Sequence, residues 1–253
     1  MAGMTDDLFR QDAYLRECSA HITAVTDAGI VLDRTVFYPL GGGQAGDSGV
    51  LVLADGTEIA IADTRKGKDA EGNATSDIVH VPAPGQEALL ATLTPGTAAS
   101  ARIDWERRHR MMRLHTTSHL LCHVVPQLVN GCSITPDYAR LDFAMTDPLD
   151  KEQLTVAIAA LVAAAHPLTA ASISDEELDA NPALVKSMSV QPPRGTGRIR
   201  TIRIGGEGDA PLIDLQPCGG THVANTAEIG AIVVTKIEKK SATTRRVVLG
   251  FAP

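Results

Sequence analysis

Four side chains able to bind a metal fall into two short stretches of the 253-residue chain: His115 and His119 in HTTSH, Cys218 and His222 in CGGTH. In a helix, residues four apart project from one face, one turn apart, so two imidazoles spaced this way can reach a single ion. His123 continues the spacing and would allow the pair to form one turn further on. Cys218 and His222 bring the set to three imidazoles and one thiolate, the number and softness that suit tetrahedral zinc. Each stretch alone has a plainer reading: two solvent-facing histidines, and a tight turn with a buried cysteine and a surface histidine. Gly219 and Gly220 let the backbone turn sharply and leave room for a substrate beside the ion. Thr116, Thr117 and Ser118 lie between the helical histidines, so the general-base glutamate of His-Glu-x-x-His peptidases is missing. Such a site suits an activated ester better than an amide.

These residues need a helix and a turn brought together. Residues 18–95 read as short strands broken by turn signals, as in DSGVLVLADGTEIAIAD, and predict a small β-rich, barrel-like domain over 1–100. A Pro/Gly-flanked run, VPAPGQEALLATLTPG, ends it. The second domain, 101–253, opens with DWERRHRMMRLHTTSHLLCHVVPQLVN, read as one long helix that Asp104 can cap and that stops at Pro126 and Asn130-Gly131. After it come a strand at YARLDFAM, a buried Ala-rich helix over about 149–165, a short helix at SDEELDANPALV, a strand at GRIRTIRIGG and a terminal hairpin. Segregated runs of strands and helices predict an α+β protein rather than a doubly wound sheet.

Composition narrows the function. Aromatic residues make up 3% of the chain, too few for an RNA-binding platform that stacks bases on aromatic rings. The acidic N-terminus has no apolar signal region and no apolar stretch is long enough to cross a bilayer, so a cytoplasmic location without a membrane partner is expected. Four cysteines without a Cys-x-x-Cys pair suit free thiols. The net charge of −7 is uneven: residues 1–100 hold 6 Lys/Arg against 14 Asp/Glu, and residues 101–253 hold 17 against 16. Basic residues of the second part cluster at Arg107, Arg108, Arg110 and Arg113, at Arg194, Arg198, Arg200 and Arg203, and at Lys236, Lys239, Lys240, Arg245 and Arg246, which makes a phosphate-binding surface plausible. GGGQAGDSG at 41–49 contains a G-x-G-x-x-G spacing, but a strand follows where a dinucleotide site needs a helix, so no nucleotide cofactor is expected. The loop is either a flexible hairpin turn or a bare backbone, with Gln44, lying against a bulky ligand.

Taken in order, TVFYPLGGGQAGDSG, RRHRMMRLHTTSHLL, YARLDF and CGGTHVANTAEIG with the basic hairpin ending TRRVVLGF resemble the alanyl-tRNA editing proteins called AlaX and the editing domain of alanyl-tRNA synthetase. They span about residues 35–251. The resemblance implies a barrel-like domain followed by an α/β-sandwich editing domain with one Zn2+ on His115, His119, Cys218 and His222. It implies a hydrolase that removes serine, and in some members glycine, from the 3′-terminal adenosine of tRNA(Ala). It assigns Thr35 to the amino-acid pocket and Gln44, with Gly41, Gly42 and Gly43, to the loop beside the site. The absence of an aminoacylation segment fits the medium-length free-standing forms. Such a form is expected to hold the tRNA acceptor end through Arg107, Arg108, Arg110, Lys239, Lys240, Arg245 and Arg246. Charge reversal at Arg245 and Arg246 is expected to weaken that binding in a salt-dependent way. Two other readings remain open: a zinc-stabilised RNA-binding module whose four ligands leave no reactive position, and a zinc hydrolase for another misacylated tRNA.

Overall fold

In a computed structural model of the protein, which describes residues 5–192, 197–206, 208 and 210–253, the chain is mixed α+β and divides into two compact units. The first comprises the residues up to Gly41 together with Ala45–His109, and the second comprises Gly42–Gln44 and Arg110–Pro253.

Six antiparallel strands form a barrel in the first unit: β1 (Glu17–Thr26), β2 (Gly29–Leu32), β3 (Gly49–Leu53), β4 (Glu58–Lys68), β5 (Ala74–Pro82) and β6 (Ala98–Ile103). They close in the order β1-β2-β5-β4-β3-β6, and β6 pairs back onto β1, so the barrel has no free edge. Alternation along the strands fills the interior: Ile59 and Ile61 from β4, Ala99, Ala101 and Ile103 from β6, with Leu51 and Phe37. β6 is thus integral to the barrel, and apart from Gly42–Gln44 the chain passes to the second unit within the helix that follows, after His109 rather than near residue 100.

Arg108 with Asp47, and His80 with Thr35, are among the buried polar residues of the first unit. Arg108, inside the barrel unit rather than on a phosphate-facing surface, is wholly buried, as is Asp47. Its Nε donates to Asp47 at 3.1 and 3.0 Å, and its terminal nitrogens reach Asp47, the Ala13 carbonyl and the Val36 carbonyl. His80 is buried against the edge of Phe37, with ring centroids 5.0 Å apart. Its Nδ1 donates to the Ile30 carbonyl (3.1 Å), so its Nε2 accepts from the Thr35 hydroxyl at 2.8 Å.

Helix α1 (Trp105–Val124) begins where the Asp104 side chain accepts from the Arg107 amide at 3.1 Å. It stops two residues before Pro126, earlier than the sequence suggested, because a proline disfavours helical backbone at the preceding residue. Of the residues read as its tail, 125–128 are neither helix nor strand, and Val129 and Asn130 open a strand, β7 (Val129–Ile134), paired with β8 (Tyr138–Ala144). The terminal hairpin, β12 (Ile232–Ser241) and β13 (Thr244–Phe251), completes a four-stranded sheet in the order β12-β13-β8-β7. Helix α2 (Lys151–Ala163) packs on β12, where its Thr155 hydroxyl accepts from the Val234 amide. Only Leu154 and Ile158 of α2 are fully buried and Val156 is 69% exposed, so the expected buried helix is buried on one face only. A second, three-stranded antiparallel sheet runs β9-β10-β11 (Leu168–Ile173, Ile199–Gly205, Leu212–Pro217), with the short helix α3 (Asp175–Ala180) between β9 and β10. The four cysteines are free, and no described helix is long and apolar enough to cross a membrane.

The burial of His80 sets a pH dependence. Loss of water holds its pKa down at about 4, the Ile30 carbonyl only partly opposing this, against 6.5 for the free side chain. Because the folded state resists protonation, the stabilisation is complete above pH 6.5 and is lost as the pH falls towards 4, amounting to about 3 kcal/mol. Denaturant unfolding of the wild type and of His80→Gln between pH 7.5 and 5 should show a wild-type excess that shrinks with acid. Parallel curves for the two proteins would remove His80 as the source.

Candidate metal centre

Helix α1 presents His115 and His119 on one side, buried, as the four-residue spacing predicts. Cys218 and His222 come from the turn after β11. The ligand-capable atoms of His115, His119, Cys218 and His222 all lie within 4.8 Å of one another, close enough to hold one metal ion. The Cys218 sulfur is 3.5 Å from His115 Nε2 and 3.3 Å from His222 Nε2. His123 is exposed and outside this group.

Each imidazole is aimed by its other nitrogen. His115 Nδ1 donates to Gln44 Oε1 at 2.8 Å, and the same oxygen accepts from the Thr221 amide at 3.1 Å. The Gln44 amide nitrogen donates to the Thr221 hydroxyl at 2.9 Å, which fixes which end of the amide faces the histidine. His119 Nδ1 donates to Asp214 Oδ2 at 2.7 Å, and His222 Nδ1 meets the Thr116 hydroxyl oxygen at 3.2 Å. Asp214 is itself held by Lys186 and by Gln216 Nε2 (2.8 Å). With three Nδ1 atoms engaged, three Nε2 atoms are left for an ion, the arrangement found around metal-bound histidines. The Thr117 and Ser118 hydroxyls between the histidines donate to the Arg113 and Leu114 carbonyls one turn back.

Charge in the group favours a thiolate. Burial alone would raise the Cys218 pKa, but the neighbouring His115 and His222 and hydrogen bonds from the imidazoles hold it well below the usual thiol range. Burial would lower His119, yet Asp214 and Cys218 outweigh it and lift its pKa to about 9. His222 is pushed down to about 3 by burial and by His115. Burial would raise Asp214, but His119 and Lys186 hold it at about 2.

The glycines answer to packing. A Cβ on Gly220 would run into the His115 ring and stand 2.8 Å from Gln44 Oε1, so Gly220 clears the histidine rather than a substrate, while Gly219 is exposed. Gly43, with φ of 86°, lies against Cys132, and its carbonyl accepts from the Ile134 amide at 2.7 Å, which lays Gly42–Gln44 along β7. Of the residues expected beside the metal, Gln44 thus joins the group through His115. Thr35 and Gly41 belong to the first unit, where the Thr35 hydroxyl bonds His80 and the Gly41 carbonyl accepts from Tyr38.

The expected phosphate surface is largely consumed internally. Arg107 donates to the Gly46 carbonyl at 3.3 and 3.1 Å, and Arg108 is buried on Asp47. Arg246 makes a two-pronged pair with Asp142 at 2.7 and 2.8 Å, and Arg245 is turned onto the Ser241, Thr244 and Thr146 carbonyls. Reversing Arg246 would therefore strand Asp142, so that substitution does not test RNA binding alone. Arg200 braces the turn at the Cys218 and Gly220 carbonyls (2.7 and 3.0 Å), Arg198 donates to Ser172, and Arg194 lies outside the described residues. Lys239 and Lys240 are exposed. Arg110 donates to the Pro136 carbonyl and keeps its side chain 35% exposed.

Sequence reading missed Asp214, Gln216, Lys186 and Thr116 as partners of the histidines. Asp214, Gln216 and Cys218 alternate at i, i+2 and i+4, and had β11 been recognised as a strand that period would have placed them on one face. Lys186 carries no such signal.

Three substitutions test this geometry. Gly220→Ala should weaken metal binding by about tenfold or more, whereas Gly219→Ala should retain it, in titrations against a chelator. Asp214→Asn should cost roughly 10–100-fold in metal affinity, the usual effect of losing a carboxylate behind a ligating histidine. Unchanged affinity in Gly220→Ala would contradict the close approach to His115.

Residues 199–248 match the family model described as threonyl and alanyl tRNA synthetase second additional domain, and residues 10–107 match the one described as tRNA synthetases class II (A). The chain is 32% identical to alanyl-tRNA editing protein AlaX-M of Saccharolobus solfataricus, over 99% of this chain and 100% of that protein. It is 32% identical to AlaX-M of Methanosarcina acetivorans, over 96% of this chain and 97% of that one. Alanine–tRNA ligase of Hyperthermus butylicus is 35% identical over 93% of this chain, which corresponds to 24% of the ligase. At that identity over its whole length, and with the metal-ligand group assembled, the chain belongs to the AlaX-M family of alanyl-tRNA editing proteins.

Proposed function

We propose that the protein is a zinc-dependent editing hydrolase that cleaves the ester between serine, and secondarily glycine, and the 3′-terminal adenosine of mischarged tRNA(Ala), acting in the cytoplasm. The observation that carries this reading is the convergence of three imidazole nitrogens and one thiolate in a chain alike to AlaX-M proteins along its full length.

The donor set fits zinc. A thiolate and an imidazole on one tetrahedral zinc stand about 3.5 Å apart, given bonds of about 2.3 and 2.0–2.1 Å. The Cys218 sulfur lies 3.5 and 3.3 Å from two imidazole nitrogens, which supports that choice. Bound there, zinc would supply a fixed positive charge that holds the four side chains and polarises a carbonyl or hydroxyl brought against it. The rest falls to the protein. Gln44, Asp214 and Thr116 orient the histidines, and Arg200 fixes the carbonyls of the turn. The three hydroxyls of HTTSH are committed to His222 and to helix carbonyls, so none serves as nucleophile or base. An aminoacyl ester, already activated, suits a site with so little acid–base equipment. We also propose that Thr35, whose hydroxyl donates to His80, presents its oxygen to the amino acid of the substrate.

Four protein ligands also fit a closed, structural site, and one experiment separates the two readings. Wild-type protein incubated with Ser-tRNA(Ala) should release serine, Ala-tRNA(Ala) should survive, and Cys218→Ala should lose zinc and activity together. Zinc at one per chain with no serine released would favour the structural site, and full activity after verified zinc loss would exclude a catalytic need for the metal.

A further inference from the structure

Two arginines of α1 share one aromatic ring. Arg110 and Arg113 are three positions apart and leave the same side of the helix. Their guanidinium carbons stand 4.1 and 4.5 Å from the centre of Phe251. Each commits its Nε to a backbone carbonyl, Arg110 to Pro136 at 2.8 Å and Arg113 to Ile229 at 2.6 Å, which aims the terminal nitrogens.

Neither is well neutralised. Asp137 comes within 3.8 Å of Arg110 but is 83% exposed, a weak and screened partner. Among the described residues no carboxylate lies within ion-pair range of Arg113. Burial, and then the charge of Arg110, hold the Arg113 pKa below its ordinary value, as expected for two cations crowded together without an anion. Elsewhere the protein supplies the counter-charge, Asp47 for Arg108 and Asp142 for Arg246.

We propose that Arg110, Arg113 and Phe251 form a binding site for a phosphodiester of the RNA substrate. Phe251 lies within cation–π range of both guanidiniums, and their terminal nitrogens are the donors to the phosphate oxygens. Arg113 precedes His115 by two positions, about 200° round the helix, so the phosphate is held away from the metal-facing side. The site therefore contributes to grip on the nucleic acid rather than to ester cleavage. It rests on the editing reading above.

The test is binding of uncharged tRNA(Ala) transcript at increasing salt, with serine release from Ser-tRNA(Ala) by the wild type measured in parallel. Arg110→Gln/Arg113→Gln should raise Kd by about tenfold or more at low salt and make the log–log salt slope shallower by about 1 to 2. Arg102→Gln, which removes an exposed arginine of the barrel, controls for loss of charge as such. Should the glutamine pair fail to fold, Arg110→Lys/Arg113→Lys and Phe251→Leu carry the test, because both keep the charges. Each should weaken binding at unchanged slope, and wild-type affinity in both overturns the site. Serine release by the wild type together with wild-type Kd and slope in the glutamine pair overturns the site and leaves the editing reading. Tight RNA binding without serine release overturns that reading and leaves the site.

Discussion

A histidine can turn one nitrogen to a metal only if something holds the other, and the second unit is organised around meeting that requirement three times. Gln44, Asp214 and Thr116 take the three Nδ1 positions, and they come from the glycine-rich loop, from β11 and from α1 itself. The other features follow. Gly220 has no side chain because the His115 ring occupies that space, and Arg200 ties down the turn that carries Cys218. The partners also differ in charge: an amide, a carboxylate neutralised in part by Lys186, and a hydroxyl. Electron donation to an ion is therefore graded around the site, strongest through His119.

Charge is the second theme. A chain with a net charge of −7 that handles a polyanion needs its positive groups where they count. Most arginines of the basic clusters serve the fold: one is sealed with Asp47 in the barrel unit, another is clamped to Asp142 across the β8–β13 pair, and several cap carbonyls. Guanidinium groups suit this because several rigidly placed donors can satisfy carbonyls and a carboxylate together. What is left for a partner is a small, placed fraction of the positive charge.

Much of the site was legible because its ligands come in two compact motifs whose spacing has a geometric meaning. His115 and His119 are one helical turn apart, and Cys218 and His222 flank one turn of backbone. Their supporting residues were less legible, since hydrogen bonds such as His119 to Asp214 join positions 95 apart with no local pattern. Strand content was under-read in the second unit for a related reason. Val129–Ile134 follows a strong helix and includes Asn-Gly, while Leu168–Ile173 continues an alanine-rich run that favours helix until His166-Pro167. Alanine carries little information about burial, so α2 read as a core helix although half of it faces outward. Arg108 looked like surface because its partner Asp47 is 61 residues away.

The separations within the metal centre also order events in time. Gln44 and His115 are 71 residues apart, Cys218 and His115 are 103 apart, and Gln44 and Thr221 are 177 apart. A nascent chain displays the loop and both helical histidines long before the CGGTH turn has been synthesised, and two imidazoles alone make a weak chelate. An ion would therefore find its full donor set only once CGGTH had been synthesised, and its binding would close these long separations at once. A product truncated before Cys218 would hold every barrel strand and yet never acquire the complete donor set.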